Sequence, residues 1–224
     1  SLKQLVDVTE VLSWAAKWDG DDEVMFAGGY GHTQKEMITK MWYLLDGADA
    51  VVHYNGKRFD IPHLNREFVE IGLTPPSPYK QIDLLQTAKR QFRLPSNKLD
   101  YVAQWLGLGS KFSHTGFDLW VGCMNGDPDS WKMMETYNRQ DVVLTEQVYH
   151  KLMPWISGHP QRALYSEGTL TAPVCRCGSV NIKKKGYAYT DGSKFQRYVC
   201  KDCGTNSRGR KNLADRSHVT ANVT

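Results

Sequence analysis

No run of eighteen apolar residues occurs anywhere in this 224-residue chain, so no stretch is long enough to cross a bilayer as a helix. The opening residues, SLKQLVDVTE, lack the apolar centre of a secretory signal. Methionine is not the first residue; Ser1 is, as expected of a processed, trimmed or partial chain. No internal repeat and no low-complexity tract is present, which excludes solenoids and fibrous arrays. Cysteine is scarce, with five residues. Cys123 stands alone with no His–Asp pattern around it and reads as a small core or loop residue. The other four form two close pairs near the C-terminus. Without a secretory signal, such pairs read as a metal site before they read as disulfides.

What is present describes a folded protein. Hydrophobic residues make up 41% and aromatics 11%, enough to bury a core and to exclude a wholly disordered chain. The length suits one medium domain plus a small module. The net charge of +4 conceals an asymmetry: residues 1–170 carry 17 Lys+Arg against 21 Asp+Glu, and residues 171–224 carry 11 against 3. Two readings stand, a basic module that meets a polyanion and a solvated charged terminus.

The chain reads as alternating elements. Residues 10–18 and 23–28 are two strands joined by Asp19-Gly20-Asp21-Asp22. Residues 34–47 are helical, with Met37, Met41, Leu44 and Leu45 on one face. Residues 48–55, ADAVVHYN, form a short buried strand ended by Asn55-Gly56. Helical spacing returns over 60–72 and ends at Gly72. TPPSP (74–78) is a rigid loop. Residues 81–92 and 98–108 read as two further helices, with Ser96 as N-cap of the second. The glycines of 111–130 suggest a loop, and a long helix follows from about Ser130 to Met153. Residues 157–173 form a linker. Strands at 182–188 and 195–199 flank Thr190-Asp191-Gly192-Ser193, a hairpin turn. These elements predict an α/β or α+β layered domain followed by a small hairpin module.

Two segments carry chemistry. In His53-Tyr54-Asn55-Gly56-Lys57-Arg58-Phe59-Asp60, a buried strand delivers a turn and then a carboxylate at the opening of a helix. That is the rim where α/β sheets collect ligands, although Asp60 could equally cap the helix. In Tyr137-Asn138-Arg139-Gln140-Asp141, Tyr137 and Asp141 are four apart on a helix and share a face; one such pair is common in helices. Together the two segments resemble the DEDD, or DnaQ-like, 3′–5′ exonuclease superfamily, in its tyrosine-bearing branch. The stretch IDLLQTAKRQFRLPSNKLDYVAQWLGLGSK and Gly116-Phe117-Asp118-Leu119-Trp120 are similar to those of phage-type members. The resemblance covers about residues 10–155.

It implies a ribonuclease-H-like three-layer α/β domain at 1–156 and hydrolysis of single-stranded DNA from 3′ ends. It implies two Mg²⁺ or Mn²⁺ ions held by Asp60 and Asp141, with Tyr137 orienting the attacking water and Asn55 and Phe59 shaping the 3′-nucleotide site. RNA is the alternative substrate, and no membrane is involved. The absence of a polymerase domain points to a stand-alone enzyme in the cytoplasm of a bacterial or phage-infected cell. The superfamily's first motif, D-x-E on the first strand, is not found. Asp7 and Glu10 have the wrong spacing, and Asp21-Asp22-Glu23 falls in a turn. The first strand is expected upstream of Ser1. Asp83 reads as structural and Asp100 as a solvated helix residue. The rival reading is a relic or fragment that binds nucleic acid without cutting it.

The third motif is Cys175-x-Cys177-Gly178 … Cys200-x-x-Cys203-Gly204. Four thiolates in two knuckles joined by a hairpin suit tetrahedral Zn²⁺; two disulfides or free thiols are the other readings. The first knuckle is C-x-C rather than C-x-x-C. A segment this short needs a staple to fold. It reads as a zinc ribbon at 174–211, followed by a disordered tail at 212–224. Lys183, Lys185, Tyr187 and Arg197 are candidate nucleic-acid contacts, because basic residues interleaved with tyrosine suit phosphate contact and base stacking. A small protein-docking ribbon is the rival.

Overall fold

A computed structural model describes residues 10–111, 116–165, 170, 172–215, 217 and 220. Two compact units divide the chain, Ser1–Lys151 and Leu152–Thr224. No helix among the described residues is long and apolar enough to cross a membrane. Asp7 of the failed D-x-E spacing lies outside the described residues.

The first unit opens with strands β1 (Ser13–Ala16) and β2 (Met25–Gly28), an antiparallel pair. Helix α1 (Gln34–Asp46) starts at Thr33, whose side chain and Glu36 form a reciprocal capping box. Strand β3 (Ala50–His53) runs parallel to β4 (Lys80–Asp83), and helix α2 (Asp60–Glu70) supplies the crossover between them. Helices α3 (Leu84–Gln91), α4 (Leu99–Trp105), α5 (Phe117–Met124) and α6 (Pro128–Leu152) complete the unit. Among the described residues the strands form two separate two-stranded ladders, β1–β2 and β3–β4, not one continuous sheet.

Three expectations are corrected. Residues 81–92 are not one helix: Lys80–Asp83 is a strand, and helix begins only at Leu84. The junction is Asp83, whose Oδ1 accepts from the Leu85 N–H at 3.0 Å and so caps α3. Residues 111–130 are not a loop, because α5 fills Phe117–Met124. Its glycines mark its boundaries: Gly116 and Gly126 have φ of +69° and +77°, a conformation that stops helices at little cost only for glycine. Ser96 is not the N-cap of α4; Lys98 is. Ser96 Oγ instead accepts from the Lys98 N–H at 3.3 Å.

One core joins both sides of the first ladder to the first two helices. Trp14, Ala27, Met37, Ile38, Met41, Leu45, Ile61, Leu64 and Phe68 are buried together. A second cluster, Leu119, Cys123, Trp131 and Met134, joins α5 to α6, and Cys123 is core there. Burial pushes its thiol pKa up, as befits a packing residue rather than a nucleophile. Two polar ties set α6 against β1 and its turn. Asn138 Nδ2 donates to Ser13 Oγ at 2.9 Å, and Lys17 meets Glu146 at 2.5 Å.

Glu67 is only 2% exposed. Its carboxylate accepts from the Val11 N–H at 3.0 Å, Gln34 Nε2 at 3.1 Å and Arg66 Nη2 at 2.8 Å. Burial works against the charge, but these donors outweigh it and hold the pKa below the ordinary value. Its stabilising share is therefore complete above the unfolded pKa and disappears as pH falls through the lower folded one. Glu67→Gln replaces an acceptor with a donor against three donors. It is expected to cost about 1–3 kcal/mol in denaturant melts at neutral pH, and to flatten the acid limb of the stability–pH curve. An unchanged acid limb would sink this account.

The second unit carries a three-stranded antiparallel sheet: β5 (Ile182–Thr190), β6 (Ser193–Cys200) and β7 (Asn206–Arg208). The turn at Asp191-Gly192 is where the sequence places it, with longer strands on either side. Residues 157–173 are not featureless. Arg162–Leu164 forms a 3₁₀ turn, and Gln161 Nε2 donates to the Val174 carbonyl at 2.8 Å. At the other end, Leu213 N–H donates to the Lys194 carbonyl at 2.7 Å and Asn212 Oδ1 accepts from Lys194 N–H at 3.0 Å. The sheet therefore engages residues that the sequence assigns to the tail.

Candidate active site and metal centre

The parallel ladder delivers His53 and Asp83 side by side at its carboxyl end, the edge where α/β sheets place ligands. Asp83 is only 9% exposed. Its Oδ1 accepts from the Asn55 N–H at 3.0 Å as well as from Leu85. It thereby fixes the turn of the first motif, where Asn55 adopts φ of +69°, a conformation Asn tolerates better than most side chains. Gly56 N–H donates to His53 Nδ1 at 3.1 Å, so the protonated ring nitrogen is Nε2, facing Gln81 Oε1 at 3.3 Å. A Cβ on Gly56 would lie 2.7 Å from the His53 ring. The glycine of the motif is thus set by close approach.

Asp60 opens α2, one residue after the cap position Phe59, where no side-chain capping bond forms. Asp60 therefore occupies the first helical position rather than the cap, and its own backbone N–H helps to stabilise its charge. Its carboxyl keeps an exposed side, yet the protein around it withholds water. That desolvation leads the causes that push its pKa above the ordinary aspartate value. Phe59 is 60% exposed, with its ring 5.0 Å from that of His63.

Tyr137 and Asp141 share one face of α6, and Lys111 joins them. Lys111 Nζ lies 2.5 Å from Asp141 Oδ2, donates to Tyr137 Oη at 3.2 Å and sits 5.0 Å from the tyrosine ring centre. Desolvation first, and then the Asp141 charge, raise the Tyr137 pKa. The hydroxyl stays protonated, with the Asp141 carboxylate as a hydrogen-bond acceptor beside it. Asp141 Oδ1 is buried with no hydrogen-bond partner among the described residues. Lys111 also lines an open cleft with Arg139, Gln140 and Gln147.

Among the described residues, two groups of metal-type side chains converge: the four paired cysteines, and an exposed Asp19–Glu146–His150 set whose Glu146 is ion-paired to Lys17. Neither contains Asp60 or Asp141. Tyr137 and Asp141 are brought together, and Asp60 belongs to the neighbourhood of His53 and Asp83.

The four cysteine sulfurs lie within 4.8 Å of one another. Cys175 Sγ is 3.5 Å from Cys203 Sγ, and Cys177 Sγ is 3.8 Å from Cys200 Sγ. Disulfide sulfurs are about 2.0 Å apart, so all four are free thiols. Edges of about 3.8 Å are what Zn–S bonds of about 2.3 Å give in a tetrahedron. The knuckles are similarly tied. Cys175 N–H donates to the Ser179 carbonyl at 2.8 Å, and Cys200 N–H to the Thr205 carbonyl at 2.9 Å. Gly178 and Gly204 follow at φ of +91° and +76°. The shorter C-x-C knuckle therefore still brings Cys175 into the cluster. Burial opposes thiolate formation at Cys200, but the N–H groups of Cys203 and Asp202 and the Ser179 hydroxyl bring its pKa down to about 7.

The ribbon candidates separate by strand register. Tyr187 stands opposite Gln196, Lys183 opposite Val199, and Arg197 opposite Arg208. Residues directly opposite share a face, so Lys183 and Arg197 lie on one face and Tyr187 on the other. Lys185 sits in the bulge between them, where its carbonyl accepts from Arg197 Nε at 2.8 Å.

A profile of the RNase_H superfamily matches residues 15–153. The chain belongs to that superfamily. It is also similar to Protein NEN3 of Arabidopsis thaliana, with 35% identity over 89 residues. That stretch is 39% of this chain and 17% of the plant protein's length.

Within the RNase_H superfamily domain, oxygen donors suit a hard divalent ion. Asp141 fits that role with one oxygen that is buried and has no hydrogen-bond partner among the described residues, and Asp60 fits with a carboxyl at the exposed opening of α2. Sequence reasoning missed Lys111. Only a basic residue 26 positions before Tyr137 marks it, and nothing in the helical pattern of α6 points to it.

Proposed function

We propose that the chain is a metal-dependent 3′–5′ exonuclease acting on single-stranded DNA ends, with a zinc ribbon that helps to hold the strand. Superfamily membership, with Tyr137 and Asp141 presented on one face of α6 around Lys111, carries the reading. When bound, two Mg²⁺ or Mn²⁺ ions would supply charge neutralisation and water activation for phosphodiester hydrolysis. Asp60 and Asp141 would hold them. The protonated Tyr137 hydroxyl orients the attacking water, and Asn55 and exposed Phe59 flank the terminal nucleotide. Cys175, Cys177, Cys200 and Cys203 would hold Zn²⁺, and Lys183, Lys185, Tyr187 and Arg197 are the candidate strand contacts on the ribbon. The setting on this reading is the cytoplasm of a bacterial or phage-infected cell. The test is release of mononucleotides from 3′-labelled single-stranded DNA in Mg²⁺, against 5′-labelled and RNA controls. Products that start from the 5′ end would sink the assignment of direction.

One observation favours a binding module without cleavage: the Lys111 ammonium already neutralises Asp141. If Lys111 and a divalent ion compete for this carboxylate, Lys111→Gln should tighten Mn²⁺ binding about ten-fold, the scale of one charge-assisted hydrogen bond. Loss of the free-Mn²⁺ resonance reads this without any turnover. Weaker binding in the variant would show that Lys111 supports the ion instead. Because the Asp60 pKa is raised, protons should displace an ion from Asp60 at a higher pH than from an ordinary aspartate.

A further inference from the structure

The hairpin of the second unit has two chemically different faces. Tyr189 stands opposite Lys194, Tyr187 opposite Gln196 and Lys184 opposite Tyr198. Lys194, Gln196 and Tyr198 alternate along β6 and point the same way. One face therefore carries Lys184, Tyr187, Tyr189, Lys194 and Tyr198. The other carries Lys183, Phe195, Arg197 and Arg208.

We infer that the Tyr187–Tyr189 face is a stacking track for a single-stranded polynucleotide, read by its bases' flat surfaces and not by their sequence. This rests on the reading of the ribbon as a nucleic-acid grip, and it names the face and the strand state that the grip selects.

Four observations carry it. Tyr187 and Tyr189 are 43% and 70% exposed, an unusual placement for two large rings that add nothing to a core. Their centroids are 6.5 Å apart at 60°, so they offer two adjacent ring surfaces in different planes. Lys194 Nζ lies 4.0 Å over the Tyr187 ring, which steadies the ring and puts a positive charge where a phosphate would pass. On the opposite face the aromatic ring among the described strand residues is Phe195, which is less exposed than either tyrosine and has the Arg208 guanidinium 3.9 Å over it. Arg197 there is engaged with the Lys185 carbonyl.

The backbone aims the track. Between Lys184 and Tyr187 the register shifts, and Gly186 takes φ of +66°. Gln196 Nε2 donates to the Gly186 carbonyl at 2.8 Å, which pins the bulge. Bulges turn the following side chains, here the two tyrosines at the hairpin tip. A duplex keeps its bases inside the stack, whereas a single strand presents them to aromatic rings. Lys184 and Lys194 on the same face complement the phosphates, and acidic side chains are absent from that face among the described strand residues.

The test uses the whole chain without added Mg²⁺. Fluorescence anisotropy follows binding of labelled oligo-dT, oligo-rU and a blunt duplex of equal length. Both single strands should bind, and the duplex should bind more weakly. Tyr187→Ala and Tyr189→Ala should each weaken single-strand binding by about ten-fold, the scale of one lost stacking contact. Tyr→Phe at either position should restore it, and Thr190→Ala, whose partner Ser193 lies on the far face, should leave it near wild type. Bound zinc, measured for every variant, reports folding. If the alanine variants lose zinc, ultraviolet crosslinking of wild-type chain to a halogenated oligo-uracil decides instead, and the expected crosslinked peptide contains Tyr187 or Tyr189. Duplex preference, equal loss in Thr190→Ala, or crosslinks at Phe195 would overturn the inference. Nucleotide release with normal binding by the tyrosine variants would overturn it while sparing the exonuclease. Tyrosine-dependent binding without any release would sustain it and sink the exonuclease. A protein ligand that competes for the tyrosines, with no oligonucleotide bound, would replace it with a protein-docking face.

Discussion

Asp141→Ala should abolish nucleotide release from single-stranded DNA 3′ ends while leaving the fold intact. Asp141 holds one oxygen buried with no hydrogen-bond partner among the described residues and gives the other to Lys111. A carboxylate that helps hold a catalytic divalent ion supports several kcal/mol of transition-state charge stabilisation, so its loss should slow release about a thousand-fold. The structural cost points the other way. Removing Asp141 leaves Lys111 half-exposed and free to turn to solvent, so unfolding should change little. The measurement pairs Mg²⁺-dependent release with a thermal melt of the same sample. Release that survives Asp141→Ala at a normal rate would remove Asp141 from the chemistry. A wild-type chain that binds strand but releases nothing would establish the binding module instead. Tyr137→Phe is the milder companion, since it keeps the ring beside Trp120 at 6.4 Å and removes only the hydroxyl that would orient water.

Stripping zinc from the second unit is expected to unfold it and to leave the first unit folded. The second unit's sheet is largely exposed: along Ile182–Thr190 no residue is buried. Within residues 174–215, what burial there is centres on Cys175, Cys200, Ser193 and Thr205. A module with so little apolar interior cannot offset the entropy of ordering its chain. Four thiolates on one Zn²⁺ can, because apparent binding energies of about 10–16 kcal/mol are folding energy in such modules. Cys175→Ser should therefore lose the metal and the protection of β5–β6 amides against hydrogen exchange. Protection across α1 and α2, which belong to a separate core, should persist. Two results would refute the metal centre: one full equivalent of zinc in Cys175→Ser, or retained β5–β6 protection after chelation.

Much of the first unit was legible because its signals are local. The period of Met37, Met41 and Leu45 and the valine run before Asn55-Gly56 each specify an element without help from elsewhere. Strand β4 was not legible. Its four residues run straight into a helical pattern, and what makes them a strand is pairing with β3, some thirty residues earlier. Short buried parallel strands have no periodicity of their own. Helix α5 was hidden for the opposite reason. Glycines that look like loop residues are its terminators, and Gly122 within it sits where Ser130 comes too close for a Cβ.

In the candidate site, the types of the working residues were readable and their company was not. Asp60, Tyr137 and Asp141 stand out by spacing and by the turn before them. That Lys111 lies between Tyr137 and Asp141, and that Asp83 holds the Asn55 turn through 28 residues of separation, depends on how α6 and β4 pack. On the ribbon, the cysteine pairs and the Asp191-Gly192 turn predicted a metal-stapled hairpin from local pattern alone. Which basic residues share a face with the tyrosines depended on one bulge at Lys185-Gly186, because each residue of slip carries a strand side chain to the opposite face. Chemistry carried by single residues and close spacings is written along the chain. Register, burial and the neighbour across a sheet arise only when distant segments meet, and they divided the candidates between the two faces.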